Sequence, residues 1–327
     1  MLSFKNGITQ ISFLILLVCI STISKGQSFD FKHPQSQTFN NGLIALKQGD
    51  TLTAFQNIQS AYQQDYKLDA ISYYYHLIAL SLDKPQADLK AKEWIEKTNN
   101  KIYQSILSFY LAKYYFRKHL DQATLDSYNK VNIEDLENDE IIQMKYYQGY
   151  LYFKQGNWDK ATSLLNAVRQ VKNNPFYTDA NYYAAFIALE KKEFNTALNY
   201  FQIASENKAY SKLTPFYISQ LYYFLGDINA AMLNCEKALA SQGQYYDVQL
   251  KQLLGHLLFE KKEYSKALPY LASYLAQQVK VDPQDLYQLS FCYFQAQQWE
   301  KAIDGFKKLA NVEDSLGQNS MYLLATS

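Results

Sequence analysis

The 327-residue chain is short of the two residues that punctuate compact folds. It has 11 Gly and 6 Pro, under half of the roughly 12% that globular chains carry. Few tight turns can be built from that stock, and no glycine-rich phosphate cradle occurs. Three Cys and four His are scattered, which leaves neither a disulfide framework nor zinc-type spacing. Excess charge is missing as well. The 32 basic and 31 acidic residues argue against nucleic acid as a partner, since its binders carry a basic surplus. The motifs HExxH, CxxC, GxSxG, GxxxxGKS/T and DxDxDG do not occur. His33, His76, His119 and His256 stand far apart with no patterned carboxylates beside them. No catalytic residue, cofactor or metal is therefore expected. Hydrophobic residues at 48% against 19% charged exclude a disordered chain. What the sequence does have in quantity is Tyr, 30 residues of it.

Long apolar runs are also scarce. The run Ile11–Ile20 follows Lys5 and precedes Ser24-Lys25-Gly26. These are the three parts of an export signal, and the run is too short for a stable membrane span. Residues 1–26 are read as a signal peptide cleaved before Gln27, and 27–35 as a short lead-in. A buried N-terminal helix is one alternative. Lipid attachment at Cys19 is another, although Val18 stands where a lipobox has a small side chain. Cleavage removes Lys5 and Lys25 and no acid, so the net charge of +1 becomes −1. No later stretch has eighteen apolar residues, so no transmembrane helix is expected in the mature segment. The expected location is the periplasm or outer envelope.

The remainder repeats itself. Gly149, Tyr152, Gly156, Trp158, Ala161, Leu165 and Val168 stand at offsets 0, 3, 7, 9, 12, 16 and 19. The same pattern of small, aromatic, turn, aromatic, small, large apolar and apolar residues restarts at Ala185, Ser219, Gly255 and Ser290. Weaker copies start at Gly42, Ala79 and Ala112. Successive starts are 37, 33, 37, 36, 34, 36 and 35 residues apart. The twelfth offset is Ala in seven of eight copies, Thr124 being the exception, although Ala is only 29 of 327 residues. Spacings of three, four and seven mark one apolar helix face. The break near the seventh offset separates two helices, so each copy is read as a helical hairpin. Small residues at the first and twelfth offsets let the two helices approach. Gly149, Ala161, Ala185, Ala197, Ala231, Gly255, Ala267 and Ala302 are the repeat-defining packing positions. One hairpin cannot bury its apolar face alone, so the copies must stack.

The punctuation fits this reading. Thr214-Pro215 and Asp282-Pro283 each read as an N-cap followed by proline at the first helical position. Pro175 falls in a linker and Pro85 in a turn. Pro269 falls inside a second helix, where it should remove a hydrogen bond and kink the axis. The acidic stretch around Asn138–Ile142 reads as a solvated loop feeding a helix N-terminus, with an ion or partner site as the alternative. Cys235 sits at a large-apolar offset and is expected to be a packed thiol. Cys292 lies beside the first-helix stripe, and no disulfide between the two is expected.

The hairpin length, the small/Tyr pair, the Gly-Asn-Trp and Gly-Asp turns and the Ala/Phe/Ala ladder resemble tetratricopeptide (TPR) repeats, over about residues 36–327. The resemblance implies an all-α, right-handed α-solenoid of stacked hairpins, here eight plus the first helix of a ninth at Ser320–Ser327. That half hairpin is expected either to mark a truncated piece of a longer protein or to fold back as a cap. The Tyr-rich composition behind an export signal resembles exported TPR proteins of Bacteroidota-type bacteria. The implied function is non-enzymatic: a scaffold binding a peptide or partner protein in a concave groove lined by first helices. Transferred by offset, that groove contains Tyr146, Tyr150, Tyr182, Phe186, Phe216, Tyr223, His256, Tyr287 and Phe291. Each ring could equally pack between hairpins as core. Lys113 and Arg117 alone approach a clamp for carboxylates, so an acidic chain end is not the expected ligand. Two other readings stay open: the periplasmic input region of a longer signalling protein, or the docking arm of an enzyme with its catalytic domain beyond residue 327. Oligomeric state is not legible.

Overall fold

The computed structural model describes residues 34–310 and 315–326, which are helical with no strand among them. The signal-peptide reading, Cys19 and His33 lie outside the described residues. The helices pair copy by copy. Copy 1 is α1 (Pro34–Lys47) and α2 (Thr51–Gln64). Copy 2 is α3 (Asp69–Ser81) and α4 (Ala87–Lys97). Copy 3 is α5 (Lys101–Arg117) and α6 (Asp121–Tyr128), followed by a 3-10 turn at Ile133–Asp135. Copy 4 is α7 (Asn138–Lys154) and α8 (Trp158–Arg169). Copy 5 is α9 (Tyr177–Glu190) and α10 (Phe194–Ser205), and copy 6 is α11 (Thr214–Phe224) and α12 (Ile228–Ala240). Copy 7 is α13 (Asp247–Glu260) and α14 (Tyr264–Leu275), copy 8 is α15 (Pro283–Gln295) and α16 (Trp299–Leu309), and α17 (Ser315–Thr326) follows.

Two compact units divide the chain after Val168. The first holds copies 1–4 and the second copies 5–8 with α17. Within the second unit α10, α12 and α14 each pack on the first helix of the next copy, and α11 meets α13, α13 meets α15, and α15 meets α17. In the first unit α2 packs on α3, and α3 on α5. Each unit is thus a stack of helical hairpins in which successive copies pack on one another. That arrangement supplies the burial one amphipathic hairpin lacks.

The packing follows the repeat position by position. All eight twelfth-offset residues, from Ala54 to Ala302 and including Thr124, are fully buried. So are the bulky sixteenth-offset residues, among them Leu165, Phe201, Cys235, Leu271 and Phe306. The small first position lies directly under the sixteenth. A Cβ added at Gly149 would stand 3.0 Å from the Leu165 side chain, and one at Gly255 would stand 2.7 Å from Leu271 Cδ2. The close approach therefore joins the small residue of one helix to a fully buried bulky side chain of its partner.

The turn is equally regular. Every seventh-offset residue has positive φ, from Gly49 at 81° to Gln297 at 56°. In seven turns the eighth-offset N–H donates back to the third-offset carbonyl, as in Asn157 to Tyr152 (2.9 Å) and Glu193 to Ala188 (2.8 Å). This is the six-to-one bond of a Schellman stop. Only three of the eight positions are Gly. Gln86, His119, Lys192, Lys262 and Gln297 take the left-handed conformation with a side chain, which costs about 1–2 kcal/mol per residue. Copy 2 departs from the rule: α3 stops early, Lys84 N–H returns to the Ala79 carbonyl (3.0 Å), and Asp83 also has positive φ (51°).

Four sequence expectations meet a direct answer. Asp282 does cap α15, accepting from Gln284 N–H at 2.8 Å with Pro283 next. Thr214 does not cap α11: Leu213 holds that position, Pro215 lies in the first turn, and the Thr214 hydroxyl donates to the Tyr210 carbonyl (2.9 Å). The turn over residues 207–213 already directs the chain into the helix, and the hydroxyl is used there. Pro269 lies inside α14, which continues through it to Leu275. The acidic stretch is not uniformly solvated. Glu140 is buried, accepts from the Glu137 N–H (3.1 Å) in a capping box, and accepts from the Tyr110 hydroxyl (2.9 Å).

Candidate functional site

Tyr hydroxyls tie one copy to the next. In the first unit Tyr110 donates to Glu140 and Tyr114 to Asp83 (2.8 Å). In the second, Tyr210 donates to Asp179 (2.8 Å), and the Tyr217 and Tyr246 hydroxyls meet at 2.8 Å. Partners stand 29 to 31 residues apart, about one repeat. Burial pushes the Tyr182, Tyr210 and Tyr217 hydroxyls well above the ordinary phenol range, with Asp179 adding to Tyr210 and Tyr246 to Tyr217. These hydroxyls are neutral and serve as fixed hydrogen-bonding groups. Much of the Tyr content is therefore structural.

That accounts for two of the nine transferred groove positions. Tyr146 and Tyr182 are buried. Tyr182 stacks on Tyr210 with ring centroids 4.3 Å apart. At these two positions the ring is enclosed by the stack, so both are core and unavailable to a partner. Tyr150, Phe186, Phe216, Tyr287 and Phe291 are half-buried. Phe186 stands edge-on to Phe201 and Tyr217 (5.0 Å each), and Phe216 lies against Tyr246 (5.1 Å). Phe291 meets Tyr264 at 5.0 Å, Tyr287 meets Phe306 at 6.1 Å, and Tyr150 meets Phe116 edge-on at 6.1 Å. Each of these rings braces neighbouring helices and keeps one side toward solvent. Phe153, Phe259 and Phe294 instead lock the hairpin turn, packing on Trp158, Tyr264 and Trp299 at 5.3 to 5.5 Å. Lys113 lies over the Phe109 and Tyr110 rings, and Arg117 over Tyr114, so both cations are held by first-unit aromatics.

Tyr223 is the most open of the nine, 37% exposed, and it is not alone. Phe224 is 54% and Leu225 36% exposed. The other seven copies place a charged or amide side chain at the fifth offset, such as Arg117, Lys154, Glu190 and Glu260. Copy 6 places Phe224 there. Its ring stacks on Phe194 at 5.5 Å. Comparing fifth offsets across the copies would have exposed this exception in the sequence.

His256 is not a solitary polar residue. Its Nε2 stands 2.7 Å from Asp285 Oδ1, and Gln252 Nε2 donates to Asp285 Oδ2 at 3.0 Å. Burial, then the neighbouring Asp285, pushes the Tyr274 hydroxyl up to about 12. Asp285 carried no sequence signal, because its partners lie in the preceding copy. Cys235 and Cys292 are free and fully buried in one apolar cluster, and burial raises their thiols to about 11 and about 12. They are inert packing groups. Among the described residues no set of three or more His, Cys, Asp or Glu could hold a metal ion, and no helix is long and apolar enough to cross a membrane.

Eight hairpins with a shared small-over-large crossing and a shared left-handed stop make this a helical-repeat protein of the tetratricopeptide type. No family model matches the sequence, and no curated protein matches it. Solved structures similar to the chain include a tetratricopeptide repeat protein from Parabacteroides merdae, 16% identical, which covers 79% of this chain and 98% of its own with a TM-score of 0.43. The apo form of RapI is 14% identical over 90% of this chain and 97% of its own, TM-score 0.49. Yeast Tom70 is 12% identical over 92% of this chain and 65% of its own, TM-score 0.37.

Proposed function

We propose that this chain is a non-enzymatic protein-interaction scaffold of the cell envelope, exported by its N-terminal signal. It binds an extended peptide or a segment of a partner protein on the aromatic first-helix surface of its second unit. Phe186, Phe216, Tyr223, His256, Tyr287 and Phe291 line that surface, and Tyr150 is the equivalent residue of the first unit. Half-buried rings suit this role. They are already fixed by packing, so binding orders little that is free, and each offers a large contact area.

One observation carries the reading. Tyr223, Phe224 and Leu225 are three consecutive exposed apolar residues at a place where every other copy has a charge or an amide at the fifth offset. A run of this kind works against solubility and has no use in the fold beyond the Phe194 stack. A site-specific photocrosslinker at Phe224 in intact cells tests it. The expected result is a discrete protein adduct at 224 and none at Leu233, an equally exposed residue of α12 (51%). Adducts at both positions, or at neither, contradict the reading.

A further inference from the structure

The second unit holds one buried carboxylate with an unusual set of partners. Asp285 is 3% exposed, in the first turn of α15. Gln252 and His256, one turn apart on α13, both reach it. An ionised carboxylate can only accept hydrogen bonds. The two oxygens are shared by an amide N–H and the imidazole, so the proton of the His256 ring sits on Nε2. In the neutral ring Nδ1 then carries a bare lone pair. This nitrogen has no hydrogen-bond partner in the protein and is not sealed from solvent, unlike the buried, unpartnered Nδ1 of His76. The His256 side chain is 27% exposed.

We propose that His256 is the specificity-determining hydrogen-bond acceptor of the binding surface, with its tautomer fixed by Asp285, and that it recognises an N–H donor of the bound segment. The inference rests on the first-helix surface being the binding face. The other residues of the proposed lining are aromatic, so a single oriented acceptor among them would set the register of an otherwise apolar contact. A segment presenting a carbonyl or carboxylate at this point would bring two acceptors together and be rejected. Asp285 is a positioning residue. An amide in its place would donate to Nε2, move the ring proton to Nδ1 and turn the acceptor into a donor.

Two measurements on the full chain test this. Long-range proton–nitrogen NMR in mildly alkaline buffer reads the ring directly. The Nε2–H tautomer is expected for the wild type and the Nδ1–H tautomer for Asp285→Asn. An Nδ1–H ring or an imidazolium in the wild type overturns the proposal. Random-sequence peptides selected by display on the wild-type chain are then titrated against variants. About tenfold weaker binding is expected for both His256→Ala and Asp285→Asn, the scale of one hydrogen bond with a buried partner left unmet. Peptides that lose affinity with Phe291→Ala but not with His256→Ala overturn this role and leave the surface standing. Peptides indifferent to Phe291→Ala overturn the surface itself.

Discussion

The two units follow one repeat but break it in different places. The first unit breaks it inside. Its twelfth offset includes Thr124 and its sixteenth includes Tyr128, both fully buried, and the Tyr128 hydroxyl has no partner. The copy 2 turn is displaced. His76 is buried among Tyr62, Tyr75 and Trp94, with ring centroids 5.2 to 5.9 Å away, and its Nδ1 is unbonded. The second unit keeps its twelfth and sixteenth offsets apolar, and the buried hydroxyls at its small first offset, Ser219 and Ser290, are hydrogen-bonded to the Pro215 and Leu286 carbonyls; it breaks the rule at its surface, at Tyr223-Phe224-Leu225 and at His256. Departures in a core cost stability and serve the fold at best. Departures at a surface are free to serve recognition. The same residue type shows the contrast: His76 is enclosed by rings, whereas His256 is held by a carboxylate and left half-open.

The largest effect expected from this contrast is acid sensitivity of the first unit. Burial lowers His76 from 6.5 to about 4, and Lys90 adds to the shift. The folded chain therefore keeps His76 neutral where the unfolded chain already binds a proton. Stability is present above about pH 6.5 and is lost as pH falls from there toward 4. The loss is on the order of 3 kcal/mol at most. Chemical denaturation at several pH values, followed through first-unit amide exchange, should show that loss in the wild type. His76→Leu should remove it. An equal acid dependence in the variant contradicts the assignment.

Next in size is the crossing itself. Ala161→Leu should destabilise its hairpin by about 1–3 kcal/mol, because a fully buried position has no room for the added atoms. A neutral melting result would contradict the close approach. Smallest is Tyr128→Phe. Removing a buried hydroxyl that has no partner should stabilise the first unit by about 1 kcal/mol. The control is Phe201→Tyr at the same offset of copy 5, which should destabilise the second unit by a similar amount. Opposite signs in the two units sharpen the comparison, and equal signs break it.

Much of the architecture was legible in the sequence. The 33- to 37-residue spacing fixes the hairpin, and the small and bulky offsets are where the helices meet. The left-handed stop was legible only as a break, since Lys192, Lys262 and Gln297 adopt it without the glycine that would announce it. The binding face was the least legible. Helical spacing identifies the side of a helix but not whether the next copy covers it, so Tyr182 and Phe186, one turn apart, read alike although one is core and the other half-open. The Tyr110–Glu140 and His256–Asp285 bonds join residues 30 and 29 apart. Their offsets differ from copy to copy, so no period reveals them.

The central claim is that the second unit departs from its repeat for the sake of a partner. Phe224→Lys tests it most directly, with thermal melting and photocrosslinking from a probe at Tyr223 measured on the same protein. Melting should cost no more than about 1 kcal/mol, the worth of the Phe194 stack, while the adduct disappears. An adduct that persists, with the loss falling on stability instead, would show Phe224 to be part of the fold and contradict the account.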